Sequence, residues 1–232
     1  MSVTQLLSKK GPFYHFSIDD VFESLLRVSD QNIPLFDETM FAVLKEAHVD
    51  FGCKVDLELF YEKEIDGVRR TLTEVRPIRD EILAAGNWLR FAPHAQSYQV
   101  APYEQTPTEL EMVFRKIYDE IDRFAGNDMY ATWARLHYYS EMYELAELFH
   151  QKRVTALFTT DNPKGSHRMD EAVGEQLVTT GEAHANDLHF IRTHYRLENF
   201  ANARLDERAL HALFVDSLQT YGYVIFYTHE YE

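Results

Sequence analysis

A chain of 232 residues with a formal charge of −15, 45% hydrophobic and 14% aromatic, is long enough for one large domain and too rich in core-forming side chains for disorder. So acidic a chain has no basic surplus with which to release counterions from a phosphate backbone, which argues against nucleic acid as a partner. No run approaches the roughly 18 apolar residues of a membrane span, the single Cys53 excludes a disulfide framework, and "MSVTQLLSKKGPFYHF" lacks a signal-peptide h-region, so no membrane partner and a cytoplasmic location are expected.

Short β-rich runs alternate with helical patterns. "PFYHFSI" predicts a strand that meets two adjacent carboxylates, Asp19 and Asp20, before helical stretches over Val21 to Val28 and Asp37 to His48. Val55, Leu57, Leu59 and Tyr61 then alternate as a strand does, "IRDEILAAG" predicts a helix, and "NWLRFAPH" a strand ending at His94. Thr106 and Glu109 form a capping box with Pro107 in the first turn, and Leu110, Val113, Phe114, Ile117, Ile121 and Phe124 make one apolar helical face.

"YATWARLHYY" predicts a fourth strand, "SEMYELAELFHQ" a helix, and "RVTALFTTD" a fifth strand whose Asp161 precedes the turn residues Asn162 and Pro163. "HRMDEAVGEQLVTTGEAHA" breaks the rhythm and reads as a hairpin or insertion, within about 163–186. "DLHFIRTHYRLE" continues the alternation, Gly222 caps the helix "DERALHALFVDSLQTYG", and "YVIFYTHE" is the last strand. Strands alternating with helices imply right-handed parallel crossovers in a single α/β domain over residues 1–232.

In a parallel barrel all C-terminal strand ends share one face, which carries the chemistry of barrel enzymes. Asp19 and Asp20, His94, His137 and Tyr138, Asp161, His194 and Arg196, and His229 and Glu230 all fall at such ends. Each has a plainer reading taken alone: a helix N-cap for the aspartates, a hydrogen-bonded rim residue for each histidine, a turn start for Asp161. Their coincidence at ends of one sense carries more weight. His48, His150 and His211 lie in helical patterns, His15 is packed in the first strand, and Cys53 reads as a small buried apolar residue.

The order "FSIDDV", "RFAPHA", "ARLHYY", "LFTTD" and "IFYTHE" resembles the five motifs of the polysaccharide deacetylases, NodB-like carbohydrate esterases with a distorted (β/α)7 barrel, from residue 13 to residue 230. The resemblance implies that Asp19 is a general base and Asp20 a ligand of a divalent metal, usually zinc. His94 would be the first histidine of the metal-binding pair. Tyr98 stands where the second should be, and His137 stands where the family has proline, so that Asp20, His94 and His137 form the candidate ligand set. Two histidines and a carboxylate leave the open position that a catalytic zinc requires. Arg135 would orient the base, the backbone near Tyr138 would help hold an oxyanion, and Asp161 would orient His229 as the general acid. Trp88, Tyr103 and Tyr138 are candidates for stacking on sugar faces.

The expected function is metal-dependent removal of an acyl group, N-acetyl first, from a carbohydrate or related small molecule. The competing reading is a saccharide- or small-molecule-binding barrel that has lost its metal. A third, a glycosidase, needs carboxylates on opposite sides of the scissile bond, which adjacent Asp19 and Asp20 do not supply and for which Glu230 would have to serve.

Overall fold

The computed structural model describes residues 13–86, 88–140, 144–160 and 170–231. The first strand, β1 (Phe13–Val21), runs parallel to the last, β11 (Tyr223–His229), in register from Phe13 opposite Tyr223 to Asp19 opposite His229. On its other side β1 pairs with β2 (Val55–Phe60), and β2 pairs with β5 (Leu89–Ala95). With β10 (Tyr195–Arg196) beyond β11, this parallel sheet has the order β10-β11-β1-β2-β5.

A second sheet, ordered β6-β7-β9-β8, joins β6 (Trp133–Arg135), β7 (Ala156–Thr159) and β9 (Leu188–Arg192) in parallel, with β8 (Glu182–Ala185) antiparallel at its edge. The sheets meet where Phe91 bridges Tyr130 and where the His194 amide donates to Ile225. Among the described residues, these ladders therefore make one parallel and one mixed sheet, which meet at these two places.

Alternate residues of β1 set one sheet against the other. The His15 ring packs on Trp133 and Phe158, while Ser17 and Asp19 both accept from Arg135. Because side chains alternate along a strand, this face carries a polar file while Phe16, on the other face, stacks on Phe226.

The helices α1 (Glu23–Asp30), α2 (Thr39–Phe51), α3 (Arg79–Ala84), α4 (Pro107–Phe124), α5 (Ala146–Gln151), α6 (Glu171–Thr180), α7 (Leu197–Asn202) and α8 (Glu207–Tyr221) follow the strands. The expected capping box and apolar face of α4 form as written in the sequence, with Leu110, Phe114, Ile117, Ile121 and Phe124 fully buried. Such a cap stabilises by about 1 kcal/mol and each buried side chain by roughly 1.5–3 kcal/mol. Gly222 ends α8 at φ 78°, a conformation that only glycine adopts without steric cost. No helix among the described residues is long and apolar enough to cross a membrane.

Four expectations need correction. The predicted fourth strand covers only Trp133–Arg135, because the chain breaks into a 3-10 turn, His137–Tyr139, in which Tyr138 and Tyr139 have φ of 54° and 49°. Within the expected insertion the described part is helix α6 followed by β8, which folds back on β9; β3 (Glu62–Ile65) and β4 (Val68–Thr71) form an unexpected hairpin after β2. Trp88 is buried against His48 and Phe36 rather than at a mouth. Cys53 is half-buried near Tyr14, whose hydroxyl interacts with it.

Candidate metal centre

β1 is irregular where its two carboxylates stand. Its register against β2 shifts between Ile18 and Val21, and Asp20 has φ 62°, the left-handed region that costs a non-glycine residue on the order of 1–3 kcal/mol. The bulge sends the neighbours to different partners: Asp19 goes to Arg135, and Asp20 to His94 and His137. Both aspartates are 2% exposed, so each needs that partner.

His94, at the end of β5, places Nδ1 2.7 Å from the Arg135 carbonyl, and His137, in the turn after β6, places Nε2 3.3 Å from the Tyr98 carbonyl. A carbonyl only accepts, so each of these nitrogens carries the ring proton. The other nitrogens are left with lone pairs, and these face each other at 3.1 Å. Asp20 Oδ1 lies 3.2 Å from His94 Nε2 and 3.4 Å from His137 Nδ1, yet neither Asp20 carboxylate oxygen receives a well-angled hydrogen bond. Three buried donor atoms thus converge on one another, all within 4.8 Å, and the group can hold a metal ion.

The spacing suits a small divalent cation. Ligands about 2.0–2.1 Å from a tetrahedral centre stand about 3.3 Å apart, against separations here of 3.1, 3.2 and 3.4 Å. The electrostatics agree in sign. Burial works to raise the Asp20 carboxyl, but its contacts with His137 and His94 outweigh this and hold it well below the ordinary carboxylate range. Burial likewise works against a charged His94, and Asp20 and Asp19 overcome it, raising His94; His137, for which burial prevails, is lowered. The site favours one positive charge among the three groups, which a proton or a metal supplies. Phe60 packs on both imidazoles, at ring separations of 5.4 Å and 5.0 Å, and closes the site's apolar side.

Behind the centre, Arg135 is 1% exposed and donates to Ser17 Oγ at 2.6 Å, Asp19 Oδ1 at 3.1 Å and Thr193 Oγ1 at 3.3 Å, with its guanidinium 4.1 Å over the Tyr227 ring. It ties β1, β6 and the end of β9 together. Beneath it lies Glu58 of β2, fully buried, with neither carboxyl oxygen hydrogen-bonded; burial and the nearby Asp19 and Asp56 push its pKa well up, which favours the neutral form.

No protein-family model and no curated protein sequence matches the chain. Among solved structures it is similar to the 4-alpha-glucanotransferase from Thermococcus litoralis, with TM-score 0.46 and 11% identity over 94% of this chain and 33% of that one. It is also similar to the Xyl-CE4 domain of a multidomain xylanase from the hindgut metagenome of Trinervitermes trinervoides, with TM-score 0.40 and 12% identity over 94% of this chain and 88% of that one. The chain thus spans about a third of the first neighbour and most of the second. These likenesses are loose, and the chemistry of the site rests on its own side chains.

Asp19, Asp20, His94, Arg135, His137 and His229 all line one cavity of about 490 Å3, bordered by Tyr98, Tyr103, Tyr138 and Tyr231. Asp161 lies outside the described residues. His194 does not join this group; it stacks on Tyr221 and accepts from the Ile225 amide, and burial, with Arg192 nearby, lowers its pKa to about 4. Glu230 is engaged as a remote cap: its carboxylate accepts from the amides of Phe22, Glu23 and Ser24 at the start of α1, where the helix dipole favours a negative charge. That occupation leaves it a poor partner for Asp19 in a glycosidase.

Sequence reasoning missed Glu198, in the first turn of α7, whose Oε1 lies 2.7 Å from His229 Nδ1. Nothing in "RLENF" marks it beyond its place just after a short strand. It also missed Glu58 and Phe60, because the alternation of β2 set Val55, Leu57 and Leu59 on the apolar face and left these two on the other, which the fold buries as well.

Proposed function

We propose that the protein is a metal-dependent hydrolase that removes an acyl group, N-acetyl first, from a carbohydrate or related small substrate. We read residues 1–232 as one deacetylase-like domain on a distorted (β/α)7 barrel. The supporting observation is the convergence of two imidazole lone pairs and a buried carboxylate, at the strand ends where the five-motif resemblance puts a metal.

Asp20, His94 and His137 would hold the divalent ion, zinc being the one that the resemblance implies. Bound there, such an ion lowers the pKa of water and polarises an acyl oxygen. Asp19 would take the proton of the attacking water. Arg135 bonds Asp19 at 3.1 Å and is itself held in place by Ser17 and Thr193, which fixes the direction of the carboxylate. Tyr138 lines the cavity in a left-handed turn, and its backbone amide would meet developing negative charge on the acyl oxygen. His229, in register with Asp19 across the β1–β11 ladder, would return the proton to the leaving nitrogen or oxygen. Tyr98, Tyr103 and Tyr138 offer ring faces and hydroxyls to a sugar at the mouth.

The missing second histidine of the family pattern does not weigh against this reading. Tyr98 contributes its backbone carbonyl, which fixes the His137 ring, and His137 would take up the ligand position.

The test is elemental analysis of the purified protein beside His94→Ala, followed by acetate release from an N-acetylated chito-oligosaccharide and from p-nitrophenyl acetate. About one zinc per chain, lost in the variant, with acetate release abolished in Asp19→Ala, is the expected result. Metal without hydrolysis of any acylated probe would favour a binding protein; no metal after reconstitution would overturn the proposal.

A further inference from the structure

We infer that Glu198 is the positioning residue for His229, the part that the family resemblance assigns to Asp161. The inference rests on the reading of His229 as a proton donor. One oxygen, Glu198 Oε1, accepts both from the His229 backbone amide at 2.9 Å and from the ring Nδ1 at 2.7 Å. A ring held to the acceptor of its own backbone amide loses most of its rotational freedom, and Nε2 becomes the nitrogen available to a substrate. The second oxygen, Oε2, accepts from Arg196 Nε at 3.3 Å.

The local chain explains how this comes about. β10 pairs with β11, Tyr195 opposite Phe226 and Arg196 opposite Tyr227, and turns at once into α7. Glu198, two residues past the strand, therefore lies beside the end of β11, where His229 stands. Glu198 is 7% exposed, and a buried carboxylate in this position needs its charge matched. Burial tends to raise it, but the bond to His229, with Arg196 adding, prevails and holds it near 2. It therefore stays ionised beside the His229 ring.

Among the described residues, the groups around His229 are Asp19 from β1, Arg196 from β10, Glu198 from α7, and Tyr227 and Tyr231 from its own strand and the residues after it. Of these, Glu198 bonds the ring. A carboxylate there stabilises the imidazolium and leaves the neutral tautomer with its proton on Nδ1.

The test is the histidine-ring NMR titration of the full chain in wild type, Glu198→Gln, Glu198→Ala and Asp161→Asn. Glutamine keeps an acceptor for Nδ1–H but removes the charge, so the His229 midpoint should fall by about one pH unit or more. Asp161→Asn should leave it in place. On acylated probes, Glu198→Gln should lower kcat at least tenfold with KM little changed.

A residue that only fastens α7 to β11 would leave the midpoint unmoved in Glu198→Gln, and that result overturns the inference. So does a shift in Asp161→Asn with none in Glu198→Gln. Should Glu198→Ala fail to fold, the isosteric glutamine variant decides alone. If the midpoint falls as expected while no probe is hydrolysed by wild type, the pairing of Glu198 with His229 stands and the hydrolase reading fails.

Discussion

His94 Nε2 and His137 Nδ1 face each other at 3.1 Å, each with its other ring nitrogen committed to a backbone carbonyl. Two neutral imidazoles in these tautomers would repel, so the pair is at ease only when a cation lies between the rings and Asp20. On the proposal above, that cation is a metal ion.

Asp20→Asn should abolish stoichiometric metal with little loss of fold, since asparagine tolerates the left-handed conformation at φ 62° but offers no charge. Tyr98→Phe should keep its metal, because Tyr98 holds His137 through the backbone carbonyl. Elemental analysis of the two variants checks both; metal lost from Tyr98→Phe would mean that the phenol belongs to the ligand set.

Acid should weaken metal binding. The neighbouring carboxylates raise His94 despite its burial, so its proton must leave before a metal can bind, and competition should begin above the ordinary histidine value of about 6.5. Zinc affinity measured by competitive chelation should fall steadily with pH through this range. A pH-independent affinity would exclude His94 as a ligand.

Glu58→Gln should stabilise the protein at neutral pH. Burial, followed by Asp19 and Asp56, raises this carboxyl well above its ordinary value, so folding disfavours its ionised form. The sign follows from linkage: the penalty is absent below the unfolded pKa of about 4.3 and grows as pH rises toward the folded value. Thermal melts of wild type and Glu58→Gln should coincide near about pH 4 and separate above it, with the variant higher.

Arg135→Met should cost about 3–5 kcal/mol in urea unfolding, because it strands Asp19 as a buried charge. Arg135→Lys should lie between, restoring the charge but not the separate bonds to Ser17 and Thr193. Metal binding should survive in folded Arg135→Lys, since His94 is held by the main-chain carbonyl of residue 135.

Helix α4 was legible because everything that makes it is local: Thr106, Pro107 and Glu109 lie within one turn, and the apolar face repeats at helical spacing. The alternation of β2 and the β-rich runs of β1, β5 and β11 were legible for the same reason, and with them the strand ends where Asp19, Asp20, His94 and His229 stand. What those residues do there depends on partners far along the chain. Asp20 leaves Asp19 through a register shift against β2, which no residue of "FSIDDV" announces. His137 enters the site because the strand ends early in a left-handed turn, with Tyr98, 39 residues away, as its backbone partner.

Glu198 meets His229 across 31 residues, and Glu230 caps a helix that begins more than 200 residues before it. The sequence by itself determined periodicity, capping and the residue types available at the strand ends, because these follow from neighbours a few bonds apart. Only the tertiary structure decided which carboxylate serves which histidine, since hydrogen bonds and charge pairing act within a few ångströms of space and take no account of separation along the chain.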